Sequence, residues 1–218
     1  MSANALIVVD MQNDFTPATD RKPAGALAVP QGNDVVPLIN SLMDRFDLVV
    51  ATQDWHPPDH LSFASQHPGR KVGEVIELDG LTQVLWPDHC VQETPGAAFV
   101  PDLETHKIDH VVRKGTDRHI DSYSAFFDNG RRKATNLARF LRERDIANVY
   151  VAGLATDYCV KATALDARRL GFNVYVVRDA CRAVNLKPTD EEEAIQAMRE
   201  AGAKVMHSSE LPSTLPAV

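Results

Sequence analysis

Three side chains with reactive groups lie at the ends of apolar runs. Asp10 follows the first such run, Lys114 ends a shorter one, and Cys159 follows a third across a four-residue turn that ends at Thr156. With Thr156 as the predicted N-cap, Cys159 lies in the first turn of a helix. An ordinary thiol has a pKa of about 8.5, and the unpaired N–H groups at a helix start favour its ionised form. The pattern therefore indicates a thiol placed where a thiolate is stabilised.

The same positions also fit structural roles. Cysteines near helix starts are commonly small buried apolar residues. Asp10 could cap the segment that follows it, and Lys114 could be a surface charge. Cys90 and Cys181 lie at no strand–turn–helix junction, so we interpret both as structural.

A second group of candidate residues lies in Asp54-Trp55-His56, with His60 and His89 further along the chain. In an extended backbone, residues two apart point to the same side, so Asp54 and His56 could face one point. Carboxylate and imidazole together suit a divalent ion such as Zn²⁺, Fe²⁺ or Mn²⁺. Loop histidines also commonly face solvent, so the spacing alone leaves a metal site as one of two interpretations.

Alternating strand and helix patterns predict how these residues are positioned. We expect an α/β fold with a doubly wound, mainly parallel sheet of about six strands and helices on both faces. In such sheets, ligands bind beyond the carboxyl ends of the strands, where the strand order reverses, so Asp10, Lys114 and Cys159 could converge. The predicted strands are residues 5–9, 47–51, 110–114, 148–152, 173–177 and 204–206; the predicted helices are 33–44, 134–144, 156–170 and 189–201.

The stretch 55–101 is the exception to this pattern. It is rich in Pro, His, Asp and Gly and shows little periodicity. Irregular stretches of this length are uncommon in compact domains and are often functional. We therefore expect a long loop region that carries the metal-binding residues.

Composition narrows the class of protein. The 218 residues are 44% apolar and 24% charged, as expected for one globular domain spanning 1–218. A net charge of -7 without a basic tract argues against a nucleic-acid partner, and no apolar run approaches the roughly 20 residues of a membrane span. There is no secretory-signal pattern, and three cysteines are too few for a disulfide framework, so we expect a cytoplasmic protein.

Four motifs together resemble a known family. They are Asp10-Met11-Gln12-Asn13-Asp14-Phe15, Asp54-Trp55-His56-Pro57, Trp86-Pro87-Asp88-His89-Cys90 and Gly153-Leu154-Ala155-Thr156-Asp157-Tyr158-Cys159-Val160. The chain resembles the isochorismatase-like cysteine hydrolases from about residue 4 to 208. The Asp-x-His and Trp-Pro-x-His elements resemble the metal-containing nicotinamidase/pyrazinamidase branch of that superfamily.

The resemblance implies catalytic roles for the three residues at the ends of the apolar runs. Cys159 would be the nucleophile, Asp10 the base that takes its proton, and Lys114 the cation between them. Backbone N–H groups of Ala155 and Cys159 would form the oxyanion hole, with a cis peptide bond between Leu154 and Ala155.

It also implies how ligands are held. Asp54, His56 and His89 would bind one divalent metal ion (Zn, Fe or Mn), and Phe15, Trp86, Tyr123 and Leu154 would contact the substrate ring. His60 departs from the spacing of relatives that have a fourth protein ligand. Three protein ligands plus waters are therefore expected, and a role for His60 stays open.

The implied reaction is hydrolysis of nicotinamide to nicotinate and ammonia through a Cys159 thioester, as a step in NAD salvage, with pyrazinamide as a further substrate. One alternative is a related cysteine hydrolase acting on another small amide, ureide or enol ether. Another is a catalytically silent metal-binding protein on the same fold. A homo-oligomer is compatible with the sequence.

Overall fold

In a computed structural model that describes residues 3–212, a sheet of six strands forms the centre of the protein. Every neighbouring pair in it is parallel. Its strands are β1 (Ala3–Val9), β2 (Leu48–Asp54), β5 (His110–Lys114), β6 (Ile146–Leu154), β7 (Asn173–Arg182) and β8 (Lys204–Met206); a separate antiparallel hairpin contains β3 (Val75–Leu78) and β4 (Leu81–Val84).

Helices pack on both faces of the sheet. They are α1 (Val36–Met43), α2 (Leu137–Arg142), α3 (Lys161–Arg169) and α4 (Asp190–Glu200). A 3₁₀ turn, Gly32–Val35, leads into α1, and a π-helical turn, Thr156–Val160, leads into α3. Within residues 3–212, none of the helices has both the length and the apolar character needed to span a bilayer.

The side chains of β1 alternate between two apolar cores. Ile7 and Val9 belong to the core that also contains apolar residues of α2, α3 and α4. Leu6 and Val8 belong to the other core, which is covered by α1. Strands buried on both faces carry continuous apolar runs instead of alternating ones, because neither face meets water. That is why the central strands are readable from the sequence.

The strand order β5-β2-β1-β6-β7-β8 places a reversal between β1 and β6. The chain moves outward from β1 through β2 to β5, then returns to the opposite side of β1 with β6 and continues outward. Asp10 follows β1 and Cys159 follows β6, so both lie at the switch point where doubly wound sheets bind ligands. The predicted fold class is confirmed.

The region 55–101 contains one regular element that the sequence interpretation left out. The strands β3 and β4 pair around Asp79 and Gly80, which have φ angles of 49° and 77°. Two positive φ angles at these positions are typical of a type I′ hairpin turn, for which Asp-Gly is a favoured sequence. The rest of the stretch is short 3₁₀ turns and irregular backbone.

Candidate active site

Cys159 lies at the junction of β6 and α3, in a turn more unusual than the predicted one. The cap residue is Ala155 and not Thr156, and the first turn is π-helical, with Val160 N donating to Ala155 O at 3.0 Å. The prediction of Thr156 as N-cap is therefore wrong by one residue. The buried Thr156 Oγ1 has no hydrogen-bond partner among residues 3–212.

Close approach of β6 to β1 fixes where this turn begins. Gly153 has a φ of 119°, and a Cβ atom there would lie 2.2 Å from Val9 O. Only glycine permits that contact and that backbone conformation. The next peptide bond, between Leu154 and Ala155, is cis. The close approach of Gly153 to Val9 places the turn that carries Cys159 beside the end of β1.

Lys114 is the centre of a buried ionic cluster. Its Nζ lies 2.5 Å from Asp54 Oδ1, 2.8 Å from Asp10 Oδ2 and 3.5 Å from Cys159 Sγ, and it donates to Ser122 O at 3.0 Å. The Lys114 and Asp10 side chains are fully buried. The three residues predicted from separate strand ends thus lie together, and the amine connects the other two.

Asp10 is held in a fixed orientation against β2. Its backbone has a φ of 49°, its N–H donates to Thr52 Oγ1 at 3.1 Å, and the Thr52 hydroxyl donates to Asp10 Oδ1 at 2.5 Å. Burial raises the pKa of the Asp10 carboxyl, while the adjacent Lys114 opposes this increase. The carboxyl is therefore a stronger proton acceptor than an exposed aspartate.

Burial dominates the ionisation of Cys159. It raises the pKa of the thiol well above its ordinary value, Lys114 acts in the opposite direction, and Asp10 raises the pKa further. Burial therefore opposes the stabilisation of a thiolate that is expected from the helix start. The thiol needs a partner to accept its proton, and acceptor atoms of Asp10 and Asp54 lie within 4.8 Å of it and of each other.

Asp54, His56 and His89 form a compact set of possible metal ligands. Their ligand atoms all lie within 4.8 Å of one another, and Asp54 Oδ2 is 3.5 Å from His56 Nε2 and 3.8 Å from His89 Nε2. All three side chains are buried. Asp54 therefore presents one oxygen to Lys114 and the other to the two imidazoles.

The hydrogen bonds of the two histidines suit metal binding. His56 Nδ1 lies 2.9 Å from Gly115 O and His89 Nδ1 lies 2.7 Å from Pro87 O, so each Nδ1 carries the proton. The Nε2 lone pairs then face Asp54, and the buried His56 Nε2 makes no hydrogen bond within residues 3–212. Burial and the nearby His56 lower the pKa of His89 to about 4, whereas burial of His56 is outweighed, chiefly by Asp54, so that the pKa of His56 is raised. A metal ligand must be a neutral imidazole, so an ion bound here would take the place of a proton at His56 Nε2. These residues fit a divalent ion.

His60 belongs to a neighbouring group. Its ring lies 4.3 Å from that of His56, but its ligand atom is grouped with those of His56 and Asp121 and not with Asp54 and His89. Ser62 N donates to His60 Nδ1 at 3.1 Å. The structure thus places His60 beside the three-residue set without adding it to that set.

Two residues of the first motif, which the sequence interpretation left without roles, hold this arrangement together. The buried Gln12 amide donates to Asp54 O and accepts from Asp54 N, both at 2.8 Å. Asp14 Oδ2 accepts the Cys90 N–H at 2.7 Å, directly after His89. Gln12 fixes the backbone of one possible ligand, and Asp14 fixes the segment that carries another.

A small pocket lies between the thiol and the possible metal ligands. Phe15, Trp86 and Tyr123, the residues expected to contact a substrate ring, line it, and Trp86 Nε1 donates to Tyr123 Oη at 3.1 Å. Leu154 does not line the pocket; its side chain is fully buried in the apolar core on the α1 side, because it is an inward residue of β6. Leu27, Tyr158 and Val184 line the pocket and were missed.

A larger cavity of about 340 Å³ lies along the edge strand β5. Among the described residues, its lining includes neither Cys159 nor any of the three possible metal ligands. The smaller pocket is therefore the candidate active site, since its lining includes Cys159, two of the three possible metal ligands and four aromatic rings.

A buried thiol, amine and carboxylate at the switch point of a parallel sheet are the fold and site of an α/β cysteine hydrolase. The isochorismatase domain family matches residues 4–210 of the chain. The nicotinamidase of Escherichia coli K12 is 50% identical over 207 residues, covering 93% of this chain and 94% of that protein. The chain belongs to the isochorismatase family.

Two solved structures resemble the whole fold. The nicotinamidase/pyrazinamidase of Acinetobacter baumannii has a TM-score of 0.92 and 46% identity, with 97% of this chain and 99% of that chain covered. The pyrazinamidase of Pyrococcus horikoshii in complex with zinc has a TM-score of 0.74 and 41% identity, with 94% of this chain and 99% of that chain covered.

Proposed function

We propose that the chain is a nicotinamide amidohydrolase, which converts nicotinamide to nicotinate and ammonia and serves NAD salvage. The observation that carries this proposal is Asp54, whose two oxygens connect the Lys114 cluster to the His56 and His89 pair beside a pocket lined by Cys159 and aromatic rings. The similarity to the E. coli nicotinamidase supports the same substrate, and the A. baumannii relative supports pyrazinamide as a second one.

The first half-reaction begins with proton transfer. Asp10 accepts the proton of the Cys159 thiol, and Lys114, 3.5 Å from the sulfur, stabilises the thiolate. The thiolate attacks the carboxamide carbon, and the developing oxyanion is bound by the N–H groups of Ala155 and Cys159 at the helix start. The C–N bond breaks as Asp10 returns the proton to the nitrogen, and ammonia leaves.

The second half-reaction hydrolyses the thioester. Asp10, ionised again, takes a proton from water as the water attacks the thioester carbonyl. The C–S bond breaks, nicotinate is released, and the thiol regains its proton. Asp10 thus acts as base and acid in turn, which suits a carboxyl whose pKa burial has raised.

Asp54, His56 and His89 would hold one divalent ion, with zinc, iron and manganese all compatible with an Asp-His-His set. When bound, the ion would supply an electrophilic contact for the pyridine nitrogen, so the ring is oriented with its carboxamide towards Cys159. The zinc complex of the P. horikoshii relative supports an ion of this class. His60 is proposed to stay outside the ligand set.

The chain is proposed to act as a single domain over 1–218, since the family match spans 4–210 and both apolar cores share one sheet. The three unpaired, buried cysteines support a reducing, cytoplasmic location.

A coupled ammonia assay with nicotinamide, combined with metal analysis of the same sample, tests the proposal. We expect ammonia release that depends on a stoichiometric divalent ion. Release from N-carbamoyl compounds but not from nicotinamide would identify a related hydrolase instead, and no release from either would indicate a silent protein.

A further inference from the structure

One wall of the pocket beside Cys159 is formed by the segment that follows β7. Val184 follows β7 and lines the pocket together with Cys159, Tyr158 and Leu27. It is half-buried, as is Leu27, so both lie where the pocket approaches solvent. They are the two largest aliphatic side chains of a lining that otherwise contains aromatic rings, polar groups and one alanine.

The buried carboxylate of Asp157 fixes this wall. Asp157 Oδ1 accepts the Val184 N–H at 3.0 Å, and Oδ2 accepts the Asn185 N–H at 2.8 Å. Asp157 is 2% exposed and lies two residues before Cys159. These two hydrogen bonds tie the Val184 backbone directly to the turn that carries the thiol.

Asn185 reinforces the connection from the other side. It has a φ of 53°, and its Oδ1 accepts the Glu191 N–H at 3.0 Å in the first turn of α4. The segment is therefore held at both the nucleophile turn and the next helix. Its side chain at position 184 has little freedom to retreat from a ligand.

We propose that Val184 determines which ring substituents the enzyme accepts, and that Asp157 is the positioning residue that holds Val184 in place. This inference rests on the proposed function and deepens it. The carboxamide must face Cys159, so an added methyl group on the ring edge that faces the mouth meets Val184. The intact wall favours an unsubstituted ring, and a loosened or shortened wall admits a larger one.

The test compares kcat/KM for nicotinamide and for its 4-, 5- and 6-methyl derivatives. In Val184→Ala, kcat/KM for the methylated substrate relative to kcat/KM for nicotinamide should rise about 10-fold for the ring position that faces Val184. That is the order expected when one methylene fits or clashes in an apolar pocket. Val184→Ile should lower the same ratio. Ratios that stay at the wild-type value in both variants would overturn the inference.

Asp157→Asn tests the positioning role, because the amide cannot accept both N–H groups in the original geometry. In Asp157→Asn, the ratio of kcat/KM for the methylated substrate to kcat/KM for nicotinamide should rise, as it does in Val184→Ala. The double variant should show less than the sum of the two effects, since both changes act through one wall. Glu193→Gln, an exposed acid on α4, is the matched control and should keep wild-type ratios. A destabilised Asp157→Asn with unchanged ratios would overturn the positioning role.

Failure of this inference is distinguishable from failure of the proposed function. Wild-type protein that hydrolyses nicotinamide while all variants keep its selectivity contradicts only the role of Val184 and Asp157. Wild-type protein that releases no ammonia from nicotinamide contradicts the proposed function, and the inference with it.

Discussion

The buried amine of Lys114 is the group whose removal tests the electrostatics of the site most sharply. Lys114→Met keeps most of the side-chain volume but leaves Asp10 and Asp54, which lie 2.8 and 2.5 Å from the amine, without their shared cation. Removing one partner of a buried ion pair costs about 3–5 kcal/mol. Two carboxylates share this amine, so we expect a loss of unfolding free energy at the upper end of that range.

At this chain length, each kcal/mol lowers the melting temperature by about 2–4 °C, so a loss of about 5 kcal/mol should lower the melting temperature by about 10–20 °C. Lys107→Met is the matched control, because Lys107 also pairs with two acids, Asp44 and Glu104, but at the surface. It should melt close to wild type. The measurement is thermal unfolding of both variants followed by circular dichroism, and a Lys114→Met midpoint equal to that of Lys107→Met would refute the reasoning.

Other predictions follow from the same contacts. Cys159→Ala should abolish turnover while nicotinamide binding stays measurable by calorimetry, because the pocket remains; activity above a few per cent of wild type would contradict a nucleophilic role. His56→Ala should lose metal and weaken nicotinamide binding together, measured on one sample by metal analysis and calorimetry, whereas normal activity in metal-free protein would rule out the metal site. Gln12→Leu should lower the free energy of unfolding by about 1–3 kcal/mol for each buried group of Asp54 left unpaired, measured by denaturant unfolding; the exposed Gln196→Leu is its control, and equal stabilities would refute the role of Gln12.

The fold could be predicted because burial on both faces leaves an unambiguous pattern. Each central strand reads as an apolar run that ends in a polar residue, as in the step from Val9 to Asp10. The positions of Asp10, Lys114 and Cys159 follow once the sheet is parallel, since the carboxyl ends then share one edge. The β3–β4 hairpin was not predicted, although Asp79-Gly80 between two short segments rich in β-branched and aliphatic residues is a recognisable hairpin signal.

The ionisation of Cys159 could not be predicted from local sequence. A helix start favours a thiolate, but the thiol is buried beside two carboxylates that arrive from β1 and β2. Burial depends on the whole fold, so a local argument leaves out the largest cause that raises the pKa of this thiol. The position of the Leu154 side chain also depends on the whole fold. It was expected to contact the substrate ring, but it points into the core because of how β6 packs.

Contacts between distant segments account for the remaining omissions. The role of Gln12 depends on how β1 and β2 align, and that of Asp157 depends on a loop 27 residues further along. Gln12 carries no reactive group, and the carboxyl of Asp157 binds backbone N–H groups of that loop. Both belong to motifs that contain a reactive neighbour, which is the signal that could have drawn attention to them.

The central claim is that Cys159 forms a thioester with the substrate acyl group. Intact-protein mass spectrometry of enzyme quenched in acid during turnover of nicotinamide tests it directly. The account predicts a population heavier by one nicotinoyl group, with the adduct mapped to Cys159, lost in Cys159→Ala and retained in Cys181→Ala. Steady turnover with no adduct at any quench time, or an adduct on another residue, would contradict it.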